Sequence, residues 1–147
     1  MTQIKLITFA AAAAVVAAGV WFSQRSTEEK TSEVSVQPKA GAAMVEVRLP
    51  AALSAQSILG KRAFDAVCAS CHGENAAGQQ GIAPPLIHKI YEPSHHADMA
   101  FVFAAQRGVK AHHWPFGNMP PVEGLTNADI ATIVSYVREL QRENGIN

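Results

Sequence analysis

Cys68-Ala69-Ser70-Cys71-His72 puts two thiols three residues apart with an imidazole directly after them. That order suits covalent attachment of haem: each thiol adds to one vinyl group while the His72 ring turns toward the iron. The chain has 2 cysteines and the motif uses both. None remains for a structural disulfide, or for a four-cysteine zinc or iron–sulfur site. One haem c per chain follows, held through Cys68 and Cys71. The competing chemistry is a thioredoxin-like dithiol, which usually follows a strand and carries its thiols near a helix start. Here the preceding run, Ser54 to Val67, spaces Ile58, Leu59, Ala63, Phe64 and Val67 at helical intervals, and Ser54 is placed to cap its start.

An iron that shuttles electrons without binding small molecules needs a sixth ligand. Met119, in Gly117-Asn118-Met119-Pro120-Pro121, is the best candidate. A thioether is soft and uncharged, and relative to a second imidazole it favours ferrous over ferric iron. Taken without the haem motif, a Met in a Pro-rich loop would be read as packing.

These residues, with Gly60, Phe64, Ile133 and Tyr136, carry a resemblance to class I c-type cytochromes, the small bacterial monohaem members especially, over about Ser54 to Gln141. In that family a glycine and an aromatic, here Gly60 and Phe64, pack the first helix against the last, where Ile133 and Tyr136 stand at the partner positions. The resemblance implies that the Pro84 carbonyl, in Ala83-Pro84-Pro85-Leu86, accepts the Nδ1 hydrogen of His72. It also implies that Trp114, five residues before Met119, donates its indole N–H to a haem propionate, with Arg107 a weaker second donor. An ordinary turn at Pro84 and core packing of Trp114 are the alternatives.

Of the 6 histidines, His88, His95, His96, His112 and His113 lie outside the haem motif. Either the pairs 95–96 and 112–113 bind copper or another ion, or His112 or His113 replaces Met119 on the iron, or the rings make surface and propionate-side hydrogen bonds. Adjacent side chains point in different directions in most backbone conformations, which argues against each pair chelating one ion.

The elements that must position this chemistry follow from the pattern of apolar residues. Thr126-Asn127-Ala128-Asp129 opens a last helix in capping-box order, and Ile130, Ile133, Val134, Val137 and Leu140 form its apolar stripe. From Leu6 to Phe22 no residue is charged. At about 1.5 Å per residue that run reaches roughly 26 Å as a helix, long enough for a thin bilayer. Trp21 and Phe22 suit a membrane interface and favour an uncleaved anchor, whereas Ala17-Ala18-Gly19 would serve as a signal cleavage site. Ser23 to about Leu53 has no sustained period, apart from alternation at Val45, Val47 and Leu49, which would let its end lie extended against the domain. From Leu53 to Asn147, seven Lys and Arg stand against eight Asp and Glu, so the domain carries no basic footprint for nucleic acid.

The expected architecture is an all-α domain of three to five helices around one haem at 53–147, a flexible linker at 24–52 and a membrane anchor or signal segment at 1–23. The expected function is one-electron transfer, not enzymatic catalysis. Because the resemblance implies haem attachment outside the cytoplasmic membrane, the domain should face the periplasm, either anchored by a single-pass helix or soluble after cleavage. Redox proteins are the expected partners: a quinol-oxidising complex, a terminal oxidase or reductase, or a dehydrogenase. The rival readings are an electron-accepting subunit of a periplasmic dehydrogenase, and a haem sensor or His-rich metal-handling protein. Oligomeric state is not legible.

Overall fold

The computed structural model describes residues 38–147. The expected anchor at 1–23 and the first part of the expected linker lie outside the described residues. Among the described residues there are four α-helices: α1 (Ala55–Val67), a one-turn α2 (Ala69–His72), α3 (Asp98–Arg107) and α4 (Asn127–Glu143). Two 3-10 turns, Glu74–Ala76 and Lys89–Tyr91, punctuate the connections. Among the described residues there is no strand, only three isolated antiparallel bridges. The domain is all-α, as its periodicity predicts.

Both long helices begin with the expected caps. Ser54 Oγ accepts from Ser57 N at 3.2 Å. At α4, Asp129 N donates to Thr126 Oγ1 at 3.2 Å while Thr126 N donates to Asp129 Oδ2 at 2.9 Å, a reciprocal box that satisfies two otherwise free donors. The cap hydrogen bonds hold the Asp129 carboxyl below its ordinary pKa.

The core is the crossing of α1 on α4. A Cβ built on Gly60 would lie 2.5 Å from the Thr132 carbonyl carbon and closer still to its oxygen, so the two backbones touch where a side chain would stand. Beside that contact Ser57 and Ser135 share a hydroxyl hydrogen bond of 3.0 Å, and the rings of Phe64 and Tyr136, both fully buried, meet at 5.7 Å between centroids and 59°. Burial of a side chain the size of Phe64 contributes about 2–3 kcal/mol. The α4 stripe is buried along its length.

On α1 the buried face differs from the apolar face in the sequence. Phe64 and Gly60 are buried as expected, but Ile58, Leu59 and Val67 are 43%, 55% and 37% exposed, and Ser57 takes a buried place beside Gly60. The physical reason is the close crossing: α4 comes near enough only over small residues, and that selects the Ser57–Gly60 edge and turns the bulkier aliphatics outward.

A polar latch ties α4 to the other half of the domain. The guanidinium of Arg138, 7% exposed, donates to Asp98 Oδ1 at 2.8 Å, to Tyr91 O at 2.7 Å, to Gln141 Oε1 at 2.6 Å and to His96 O. It also lies 4.9 Å from the Phe101 ring centroid. Gln141, fully buried, donates to Leu86 O at 2.8 Å and Tyr91 O at 3.1 Å. Carbonyls stranded by the irregular stretch 86–96 thereby find donors on one helix.

The end of the segment read as a linker lies on the domain. Gly41 N donates to Gln80 O at 2.9 Å and Gln80 N to Ala42 O at 2.8 Å. Val45 and Val47 pack against the core, and Arg48 and Asn144 exchange two hydrogen bonds of 2.9 Å.

Gly60→Ala should destabilise the domain by about 1–3 kcal/mol, the usual range for overpacking, read as a lower denaturant midpoint. An unchanged midpoint would show that the helices can part without cost.

Candidate functional site

Cys68 closes α1, its N–H donating to Phe64 O at 2.8 Å, so the helix crossing fixes where the motif begins. One helical turn later His72 ends α2, and Gly73 and Gly78, both with positive φ, fold the chain back beneath it. Asn75 and Ala76 between them also adopt positive φ. For Ala76 that costs about 1–2 kcal/mol, offset by full burial and by its carbonyl, which accepts from Leu86 N at 2.9 Å. Tyr136 Oη donates to Asn75 Oδ1 at 3.1 Å, pinning the turn to α4.

This return brings Pro84 against the imidazole. His72 Nδ1 lies 2.9 Å from Pro84 O. A carbonyl only accepts, so Nδ1 carries the hydrogen and Nε2 of the neutral ring is left with a free lone pair. Burial pulls the His72 pKa below its ordinary value, and the bond to Pro84 partly opposes this. The ring is therefore neutral at pH 7, as a metal-ligating imidazole must be.

Met119 is placed by a different device. Its N–H and carbonyl exchange hydrogen bonds of 3.0 and 2.9 Å with Val109, clamping the two arms of the 109–119 loop into one bridge. Gly108 allows this, because a Cβ there would press on the Met119 carbonyl oxygen and lie 3.1 Å from Pro121 N. Within the loop Ala111 N donates to Asn118 Oδ1 at 2.9 Å.

Cys68, Cys71, His72, Pro84, Trp114 and Met119 all line one cavity of about 560 Å³, whose wall is mostly apolar. That volume falls within the roughly 300–1,000 Å³ of pockets that enclose a small molecule or cofactor. Arg107 reaches the same cavity from the end of α3, its guanidinium 4.6 Å from the Phe103 ring centroid. His96, His112 and His113 also belong to the wall. Cys71 and Ile82 are exposed, so the cavity opens to solvent on that side.

Two features bear on what the cavity holds. The Trp114 indole N–H is buried and has no hydrogen-bond partner. Tyr91 is near enough for the indole to temper the upward pull of burial on its pKa, but no bond forms at hydrogen-bond geometry. A donor left in this state costs about 1–3 kcal/mol unless a ligand supplies an acceptor. In addition, burial and then the neighbouring Cys71 push the Cys68 thiol up to about 11. An activated redox dithiol needs a depressed pKa at a helix start after a strand; this motif follows a helix and its first thiol shifts the other way. The donor set of two thiols, a neutral imidazole and a thioether around an apolar cavity, with an orphan N–H in its wall, fits a covalently held haem.

The Cytochrome c family model matches residues 57–141. A comparison with curated proteins returns no match. The chain belongs to the cytochrome c family, and with it to the haem-based electron carriers. The family implies a covalently bound haem c, with which the two cysteines are consistent.

Sequence reasoning missed three features of the site. Gly78 packs so closely under the Pro84–Pro85 segment that a Cβ would lie 2.8 Å from Pro85 Cδ and closer to Pro85 N. The only sequence signal was a glycine inside a polar loop. Arg138 and Gln141 hold the carbonyls behind the cavity, and their signal was two polar residues beside the apolar stripe of α4. Tyr91 reaches the Trp114 side of the wall, which no local pattern announces.

Gly78→Ala should displace Pro84–Pro85 and release the His72 Nδ1–H. The expected outcome is loss of a slowly exchanging Nδ1 proton resonance, together with destabilisation of about 1–3 kcal/mol. A retained resonance at wild-type exchange rate would show that Pro84 tolerates the displacement.

Proposed function

We propose that this chain is a single-haem, one-electron carrier at the periplasmic face of the cytoplasmic membrane, its haem joined through Cys68 and Cys71 and its iron held by His72 and Met119. One observation carries the reading: a single apolar cavity gathers both thiols, a neutral imidazole anchored through Nδ1, and a thioether clamped on an independent backbone bridge. When bound, the haem supplies a ferric/ferrous couple. The residues of the chain set how that couple behaves.

His72 offers its Nε2 lone pair, and the Pro84 carbonyl both fixes the ring and strengthens it as a donor. Met119 completes the coordination and closes the iron to small ligands, which favours electron transfer over ligand binding. Both ligands sit on short, hydrogen-bonded backbone segments, so little moves when the charge on the iron changes. The apolar wall disfavours the extra positive charge of the ferric state and so supports a higher reduction potential. Trp114 offers its unpartnered N–H to a propionate, and Arg107 offers a charge at the same cavity. Cys71 and Ile82 mark the solvent-facing side, where an electron partner has the shortest path to the cofactor edge.

The apolar run from Leu6 to Phe22 supports an anchor, and docking of the chain from Gly41 onward confines any tether to the residues before it. Tethering raises the effective concentration of the domain for membrane-bound partners. That favours a quinol-oxidising complex as donor and a terminal oxidase or reductase as acceptor. Among the described residues no helix is long and apolar enough to cross a membrane, so the proposal rests on the N-terminal run alone.

Met119→Leu should convert the ferric spectrum from low spin to high spin and let the ferrous protein bind carbon monoxide at neutral pH. Wild-type protein should do neither. A low-spin Met119→Leu variant that excludes carbon monoxide would assign the sixth ligand elsewhere, with the histidines first in line.

Intact mass of the protein extracted from membranes should include residues 1–22. A soluble periplasmic form lacking them would replace the anchor by a cleaved signal.

A further inference from the structure

The histidine pairs at 95–96 and 112–113 stand on two loops separated in sequence by α3, and the fold brings them together. One ring nitrogen each of His95, His96 and His113 lie within 4.8 Å of one another. The ring centroids are 4.7 Å apart for His95 and His96, 5.5 Å for His95 and His113, and 5.2 Å for His96 and His113. His112 lies beside them, its ring centroid 4.1 Å from that of His113 and tilted by 51°.

The expected divergence of adjacent rings does not hold for His95 and His96, whose nitrogens face a common point. The cluster draws two rings from one loop and one from the other.

The hydrogen bonds around the cluster leave nitrogen lone pairs unclaimed. His96 Nδ1 lies 2.6 Å from Ile90 O. Nδ1 must therefore donate, and among the described residues Nε2 makes no hydrogen bond. A metal-binding imidazole is commonly oriented this way, with its far nitrogen held by a carbonyl. His112 Nδ1 meets Lys110 O at 2.8 Å in the same manner. No hydrogen bond links one ring of the cluster to another, so the rings do not satisfy one another.

We propose that His95, His96 and His113 form a three-imidazole site for a divalent first-row transition ion, with a fourth position open. Three neutral nitrogens suit zinc or copper and discriminate against magnesium and calcium, which prefer oxygen. Nitrogens at about 2.0–2.1 Å from a tetrahedral ion stand roughly 3.4 Å apart, so His95 and His113 must move toward His96 by roughly 1 Å or a little more to close the set. His95 and His113 are exposed and free to do so, while His96 is the fixed point.

The site is distinct from the axial ligands, yet His96 and His113 are shared with the wall of the haem cavity. A bound dication there disfavours the ferric state by charge repulsion and raises the reduction potential. The binding claim stands without the haem reading; the effect on potential rests on it.

Zn²⁺, which is redox-silent, is the probe. Titration calorimetry of the full haem-loaded chain should give one Zn²⁺ per chain at micromolar affinity or tighter, with Cu²⁺ displacing it in keeping with the order of divalent affinities. Among the described residues His95 makes no side-chain hydrogen bond, so His95→Ala should keep the wild-type haem spectrum and lose at least about 100-fold in affinity, more than the loss of an outer partner costs. His113→Ala should lose affinity for Zn²⁺ to a similar extent; because His113 lines the haem cavity, the spectral control rests on His95→Ala. No saturable binding, or wild-type affinity in both variants, overturns the site. A potentiometric titration should show an upward shift on adding Zn²⁺ that is absent in His95→Ala. Binding with an unchanged potential would retain the metal site and overturn its coupling to the haem.

Discussion

The contact of Gly60 with the Thr132 carbonyl is the constraint from which the rest of the domain is built. Two backbones in contact leave no room for adjustment. The angle and register of α1 on α4 are therefore set, and Phe64 and Tyr136 meet as a consequence. Because Cys68 ends α1 and Tyr136 Oη pins Asn75, the start of the haem motif and the turn after it are both referred to α4. The 1 kcal/mol or so that a glycine costs inside a helix is outweighed by what the close approach allows.

The second support is electrostatic. Arg138 and Gln141 gather carbonyls from Leu86, Tyr91 and His96, together with the Asp98 carboxylate, behind the cavity. A buried guanidinium is costly to desolvate, and several acceptors are what make it tolerable. The loop 86–96 has little regular structure of its own and takes its shape from these bonds. One helix thus serves both halves of the cavity, through close packing on the His72 side and through a polar latch on the side of Tyr91 and His96.

The chemistry divides along the same geometry. Within the cavity a neutral imidazole and a soft thioether are held by carbonyl and bridge hydrogen bonds and surrounded by apolar residues, an environment suited to an iron that changes charge without changing partners. At its rim, where His95 and His113 are exposed, stands the imidazole cluster proposed to take an ion from solution. His96 belongs to both regions, since its backbone carbonyl serves the Arg138 latch and its ring serves the rim cluster.

Much was legible in the chain because it is written in local order. The spacing of Cys68, Cys71 and His72, the caps at Ser54 and Thr126, and the α4 stripe all depend on residues a few positions apart, where helical geometry leaves few choices. Gly60 and Phe64 were legible as the positions where α1 meets α4, but that Ser57 joins them while Ile58, Leu59 and Val67 stay outside was not, since hydropathy marks the aliphatics and the close crossing selects the small residue. The alternation at Val45 and Val47 announced that this stretch lies against the domain, whereas the residues it meets, the latch of Arg138 and the convergence of His95 and His96 with His113 join residues far apart in sequence. The sequence by itself determined the cofactor chemistry and the helical class. Only the tertiary structure decided which surfaces meet, because close packing and hydrogen-bond partners belong to pairs of distant segments and to neither segment alone.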